Sequence, residues 1–283
     1  MQLLEKSTTR WQTIEIWTSG VEVEFRVEGA VCAWFHRDKF LTGLAWDMIA
    51  AGALLGKPAP RSILMLGLAG GTAFRILRHL LPEAQLAAVD IDGELITLAR
   101  RHMPLDDTGV EIHVADAYEW IANNPGQFDV VIDDVYLAGK TDVFRPHSWN
   151  PAILNALASA VADDGVLAVN LVTGAGHRKM QTLVRRQLAA HFPRVRAVRS
   201  PHALNEVLVA GRDVATRTRL RPHAVRFADP SDRTFWRSLD VRNISPQAGR
   251  GDSDGSARVP APAATPQSRR DFLREAHRER ASR

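Results

Sequence analysis

The chain has 283 residues, 45% of them hydrophobic and 24% charged, which is an ordinary globular composition with enough apolar material for a sizeable core. No apolar run approaches eighteen residues, which excludes a spanning helix, and the start MQLLEKSTTRWQ lacks a secretory signal's apolar stretch, so a cytoplasmic location is expected. The net charge of +4 is concentrated after residue 249, where eight Arg face five acids; the near-neutral body argues against nucleic-acid binding.

Three regions follow in chain order: an N-terminal strand region with a linking helix (1–58), an α/β domain (59–244) and a tail (245–283). Residues 12–36 alternate polar with β-branched or aromatic residues around Ser19-Gly20 and Glu28-Gly29, the pattern of short antiparallel strands. The lone Cys32 in AVCAWF reads as a small buried hydrophobe. A helix is expected over 40–55, ended by Lys57-Pro58-Ala59-Pro60.

From Arg61 to Arg212, the apolar runs SILMLG, QLAAVD, VEIHVA, FDVVID and VLAVNL alternate with helical patterns, which argues for a parallel sheet covered on both faces. After a helix over 177–191, RVRAVRS and EVLVAGR form a closing antiparallel pair around residues 201–205. The expected fold is therefore α/β: a Rossmann-like, mostly parallel seven-stranded sheet of the class I methyltransferase type, with a small N-terminal β-strand region. Phe227, Phe235 and Trp236 are expected to pack back on the domain. Residues 245–268, rich in Pro, Ala, Gly and Ser, are expected to be disordered, and 269–283 to form a solvated, charged tail.

Four features carry chemistry. Gly67-Leu68-Ala69-Gly70-Gly71-Thr72 follows a strand and opens a helix, so small residues let the backbone approach a ligand at a helix N-terminus. The dinucleotide spacing G-x-G-x-x-G would need small residues at 67, 69 and 72, and the last two are Ala and Thr, so an oxidoreductase is disfavoured. Asp90, at the tip of the second strand, can accept hydrogen bonds from both ribose hydroxyls, while Asp92 reads as a helix N-cap. Asp116 can accept from an adenine amino group, with Ala117 leaving room for the ring, and can equally cap the next helix. Asp133 and Asp134 end the fourth strand, where open α/β sheets bind ligands. His113, His147, His177 and His202 show no metal-ligand spacing, so no metal is expected.

On these motifs, residues 33–172 resemble the spermidine synthase (polyamine aminopropyltransferase) family, within the S-adenosylmethionine-dependent transferases. The family's GGGDGG is set against 67–72, its VEID against Val89-Asp90-Ile91-Asp92, its GDA against Ala115-Asp116-Ala117 and its D-x-x-D against Asp133 to Tyr136. In this alignment Gly70 replaces the acid that holds the aminopropyl ammonium. Tyr136 replaces the second acid, Ala45-Trp46-Asp47 replaces YHE or YQE, and Ser200-Pro201-His202-Ala203 replaces the Tyr-Pro diamine loop.

The resemblance implies decarboxylated S-adenosylmethionine, or S-adenosylmethionine itself, as co-substrate. Gly67, Leu68, Ala69, Gly70, Gly71, Asp90, Ile91, Asp116 and Ala117 would bind it, and Asp133 would be the base. Asp134, Tyr136, Trp46 and Asp47 would meet an amine acceptor that need not be putrescine, under a lid spanning 135–149. A homodimer is also implied. Methyl transfer, which Gly70 favours, and a non-catalytic nucleoside-binding relative are the alternatives.

Overall fold

The computed structural model describes residues 1–244 apart from 125, 140, 141, 201 and 202. The expected tail, and the Pro201-His202 part of the loop set against the diamine loop, lie outside the described residues.

The chain opens with an antiparallel meander of four strands: β1 (Gln2–Thr8), β2 (Thr13–Thr18), β3 (Glu22–Val27) and β4 (Ala30–His36). Strands β2 to β4 fall where the alternation put them; β1 was not anticipated. The helix α1 (Ala45–Ala53) is shorter than the expected 40–55 because Asp47 folds the preceding residues into a capping loop, accepting from the Thr42 N–H (2.8 Å), the Gly43 N–H (2.5 Å) and the Thr42 hydroxyl (3.1 Å).

The alternating region follows as β5 (Ser62–Leu66), α2 (Thr72–Leu80), β6 (Gln85–Asp90), α3 (Gly93–His102), β7 (Glu111–Val114), α4 (Ala117–Asn123) and β8 (Phe128–Asp133). A two-stranded ribbon, β9 (Leu137–Ala138) and β10 (Val143–Phe144), leads to α5 (Pro151–Ser159), β11 (Val161–Val172), α6 (Arg178–His191), β12 (Arg194–Arg199) and β13 (Asn205–Gly211). The described chain closes with α7 (Pro230–Ser238) and β14 (Asp240–Asn243).

The main sheet has the order β14-β12-β13-β11-β8-β5-β6-β7, parallel from β11 to β7, with β13 antiparallel between β11 and β12. It therefore has eight strands rather than the expected seven; the additional β14 pairs antiparallel with β12. Its sequence DVRN is too short and polar to declare a strand, and it takes its place by completing an edge that β12 leaves open.

Both faces of the sheet are covered. Ile63, Met65, Val130, Ile132 and Ala168 pack with α1, α2 and α3, while Leu64, Leu66, Val131, Leu167 and Val169 pack with α4, α5 and α6. Strand parity thus decides to which side each residue belongs. Phe227, Phe235 and Trp236 are buried in the first of these cores, as expected.

Candidate functional site

A cavity of about 440 Å³, within the range of small-molecule sites, opens at the carboxyl ends of the parallel strands and is roofed in part by the N-terminal sheet. The turn from β5 to α2 forms one wall. Gly67 has φ +84, and a Cβ there would lie 2.4 Å from the Asp134 carbonyl oxygen, so only glycine lets this turn pass the end of β8.

Asp90 braces the turn. Its Oδ2 accepts from the Leu68 N–H (2.7 Å) and the Ala69 N–H (2.9 Å), and its Oδ1 accepts from the Asp92 N–H (2.9 Å). Asp90 and Ile91 line the cavity at the tip of β6. Asp92 caps α3 by accepting from the Leu95 N–H, as expected, and its other oxygen accepts from the Thr9 hydroxyl (2.7 Å), which ties the N-terminal sheet to the site.

Of the five turn residues set against the nucleoside, Gly67 and Ala69 face the cavity, and Leu68, Gly70 and Gly71 do not. Leu68 is core, and a Cβ on Gly71 would meet Leu105. A Cβ on Gly70 would lie 2.4 Å from the Ala33 Cβ and 2.8 Å from the Met103 Sδ. The expectation that Gly70 stands where an acid would hold the donor's ammonium is thereby corrected: position 70 packs against β4 and the end of α3. The cavity-facing neighbour is Ala69, held at φ +48.

Asp116 caps α4, its Oδ1 accepting from the Tyr118 N–H (2.9 Å) and the Glu119 N–H (3.1 Å), while its Oδ2 meets His147 Nε2 at 2.8 Å. Burial opposes its charge, but the Glu119 N–H and His147 outweigh it and hold the carboxyl below its ordinary value. Asp116, Ala117 and His147 all line the cavity.

The two acids at the end of β8 part company. Asp133 follows Val131 to the α4–α6 side, is fully buried and is not among the lining residues. Arg145 Nη1 donates to both its oxygens (3.0 and 2.8 Å), and the Tyr118 hydroxyl donates to Oδ1 (3.0 Å). Burial alone would favour a neutral Arg145, but Asp133 reverses this, with the Tyr136 and Tyr118 oxygens adding to it, and holds the guanidinium charged.

Asp134 does line the cavity. Its Oδ1 accepts from Asn170 Nδ2 (2.7 Å), and desolvation pushes its carboxyl up to about 7 against that hydrogen bond and the pull of Arg145. Tyr136 lines the same wall, its hydroxyl donating to the Asn170 carbonyl (3.0 Å) and its ring lying 4.6 Å from the Arg145 guanidinium.

Trp46 reaches the cavity as expected. Asp47 does not; it is fully buried and spent on the capping loop before α1. Cys32 is half-buried in the cavity wall rather than sealed in the core, and burial raises its thiol to about 12.

Sequence reasoning missed Arg145, His147 and Asn170. The first two had no periodicity to mark them, but Asn170 had a signal: it is the one polar residue in the apolar run VLAVNLV of β11.

Six acids line the cavity, namely Glu28, Asp90, Asp92, Asp116, Asp134 and Asp142, and no Lys or Arg does among the described residues. The arrangement suits a ligand carrying positive charge.

Comparison with known proteins agrees with this geometry. The spermine/spermidine synthase domain model matches residues 45–202, more than half of the chain. The polyamine aminopropyltransferase of Shouchella clausii is 26% identical over 156 residues, covering 52% of this chain and 54% of its own length. The chain thus spans about half the length of the curated relatives it matches. A probable spermidine synthase from Corynebacterium glutamicum shares the fold, with a TM-score of 0.65 at 15% identity, covering 93% of this chain and all of the other. Human methyltransferase-like protein 13, solved in complex with SAH, aligns with a TM-score of 0.53 at 25% identity over 64% of this chain and 88% of its own. Motif order, sheet topology and the matched segment agree, and the chain belongs to the spermine/spermidine synthase domain family.

Proposed function

We propose that the protein transfers an aminopropyl group from decarboxylated S-adenosylmethionine to an amine acceptor, with Asp134 as the base. The observation that carries this reading is the acid-lined cavity without a described Lys or Arg. Such a wall attracts a sulfonium, a propylammonium and an amine, and it offers no cationic side chain to the extra carboxylate of intact S-adenosylmethionine.

The amine nitrogen attacks the methylene carbon bound to sulfur. The C–S bond breaks in line, its electron pair returns to sulfur, and neutral methylthioadenosine leaves. An amine is mostly protonated at neutral pH, so it needs a base and a desolvated setting to be a nucleophile. Asp134 meets both needs: it faces the cavity, and a carboxyl titrating near 7 can take a proton under working conditions. Asp133 carries the role less well, because Arg145 and Tyr118 already occupy its carboxylate away from the cavity. Asp90 is assigned to the ribose, Asp116 and Ala117 to the adenine, and Gly67, Ala69 and Ile91 to close contact with the nucleoside.

Methyl transfer from intact S-adenosylmethionine is the second reading, favoured by the uncharged Ala69 at the one loop side chain that faces the cavity. Product mass decides between them. Incubation with each donor and a panel of amines is expected to yield methylthioadenosine from the decarboxylated donor; S-adenosylhomocysteine from the intact donor would replace the proposal with the second reading.

A further inference from the structure

The cavity divides along the sheet. The order β11-β8-β5-β6-β7 puts Gly67, Ala69, Asp90 and Asp116 on one side of β8. On the other, toward β11 and β13, the wall is built from Trp46, Val135, Leu137, Val143, Val172 and Leu204. This second half is largely apolar, and its polar groups are mostly committed to one another. Asn205 Nδ2 donates to Asn170 Oδ1 (3.1 Å), Asn170 Nδ2 donates to Asp134 Oδ1 (2.7 Å), and the Tyr136 hydroxyl donates to the Asn170 carbonyl (3.0 Å).

Asp134 and Asp142 reach this half, and they differ. Asp142 has both oxygens engaged, Oδ1 by the Val143 N–H (2.8 Å) and Oδ2 by His177 Nε2 (3.0 Å). Asp134 has one oxygen on Asn170 and keeps the other for a ligand. One carboxylate oxygen in an apolar pocket serves one amino group. A second ammonium at the far end of an acceptor would meet, among the described residues of this half, mostly Leu, Val and Trp side chains, with the Asp142 carboxylate already shared between the Val143 N–H and His177, which is costly.

We infer that the acceptor is a monoamine with an apolar body, its amino group on Asp134 and its hydrocarbon or aromatic part against Trp46, Leu137, Val143 and Leu204. This rests on the reading of the cavity as a site for an adenosyl sulfonium and an amine, and it names the class of that amine. The chemistry of transfer is unchanged: the nitrogen lone pair forms the new C–N bond, and the proton goes to Asp134.

The test is calorimetric titration of the full chain with hexylamine, with diaminohexane of the same length and with putrescine, each on the free protein and on protein saturated with methylthioadenosine. Hexylamine is expected to bind at least about tenfold more tightly than either diamine, the scale on which an unpaired buried polar or charged group discriminates. A diamine that binds as tightly as hexylamine overturns the inference, and so does absence of binding by all three amines.

Methylthioadenosine is titrated alone first, which separates the two claims. If it fails to bind, the proposed donor falls while the amine comparison on free protein still decides the acceptor class. Leu137→Asp adds a second reading, since residue 137 is half-buried in the wall three positions after Asp134. It is expected to move the preference toward the diamine by about tenfold. An unchanged ratio in the folded variant contradicts the assignment of this half to the acceptor.

Discussion

Replacing each acid at the end of β8 by its amide should give opposite outcomes. In Asp133→Asn, the buried Arg145 loses the carboxylate that both oxygens present to it at 3.0 and 2.8 Å, and the Tyr118 hydroxyl loses a charged acceptor at 3.0 Å. Removing one partner of a buried ion pair costs about 3–5 kcal/mol, because the other charge is left desolvated. Asp133→Asn should therefore unfold at markedly lower urea and lose turnover mainly through that instability.

Asp134 differs because burial holds its folded carboxyl near 7, above the value of 3.8 for an unhindered aspartate. A raised acid binds its proton more tightly in the folded state, so its contribution is fully present below about 4 and is lost as pH rises through 7. Asp134→Asn, neutral throughout, should keep wild-type stability at the acid end of that window and gain relative to wild type above it. Turnover should fall about 10²–10⁴-fold, the usual loss for a general base, and the rise of the wild-type rate with pH through about 7 should disappear. Urea unfolding at several pH values, paired with a methylthioadenosine-release assay, reads both effects. If Asp134→Asn turns over like wild type while a stable Asp133→Asn does not, the assignment of the base is refuted.

Four further outcomes follow from the same geometry. Ala69→Asp should be accommodated, since Asp tolerates the left-handed backbone at φ +48. Its carboxylate would face the cavity and should tighten a propylammonium donor by about tenfold or more in a direct titration, as a charged hydrogen bond would. Gly70→Asp, by contrast, drives a Cβ into Ala33 and Met103 and should lower the thermal midpoint with no gain in affinity. Asp90→Ala, which frees the Leu68 and Ala69 N–H groups and removes the acid assigned to the ribose, should weaken methylthioadenosine at least about tenfold while the far-ultraviolet spectrum stays native. Cys32, with its thiol pushed up to about 12, should react with iodoacetamide far more slowly in the folded chain than in urea, followed by mass.

The repeating strands and helices were legible because each parallel strand is a short apolar run set between helix caps. Asp92 reads as a cap from chemistry alone, Asp116 as a cap or an adenine acceptor, and both cap their helices. Two edges were not legible: β1 is mostly exposed, with a register shift between Leu3 and Glu5, and β14 is four residues of which three are polar. In the site, the difficulty lay in single-residue orientation. A parallel strand packed on both faces shows no alternation, so FDVVIDD cannot say which acid follows Val131 and which follows Ile132. The Gly-rich turn hides the same ambiguity, and the resemblance placed its missing acid at Gly70 when the cavity-facing position is Ala69. Arg145, twelve residues after Asp133, is paired with it through a connecting segment whose path no local pattern encodes.

An acid-lined cavity that holds an adenosyl nucleoside with a positively charged donor end must bind such a nucleoside directly. Calorimetric titration with decarboxylated S-adenosylmethionine, methylthioadenosine and intact S-adenosylmethionine tests it most directly. The first two are expected to bind at micromolar concentration, and the intact form, with its added carboxylate, more weakly. Failure of all three to bind, or tightest binding of intact S-adenosylmethionine, would contradict it.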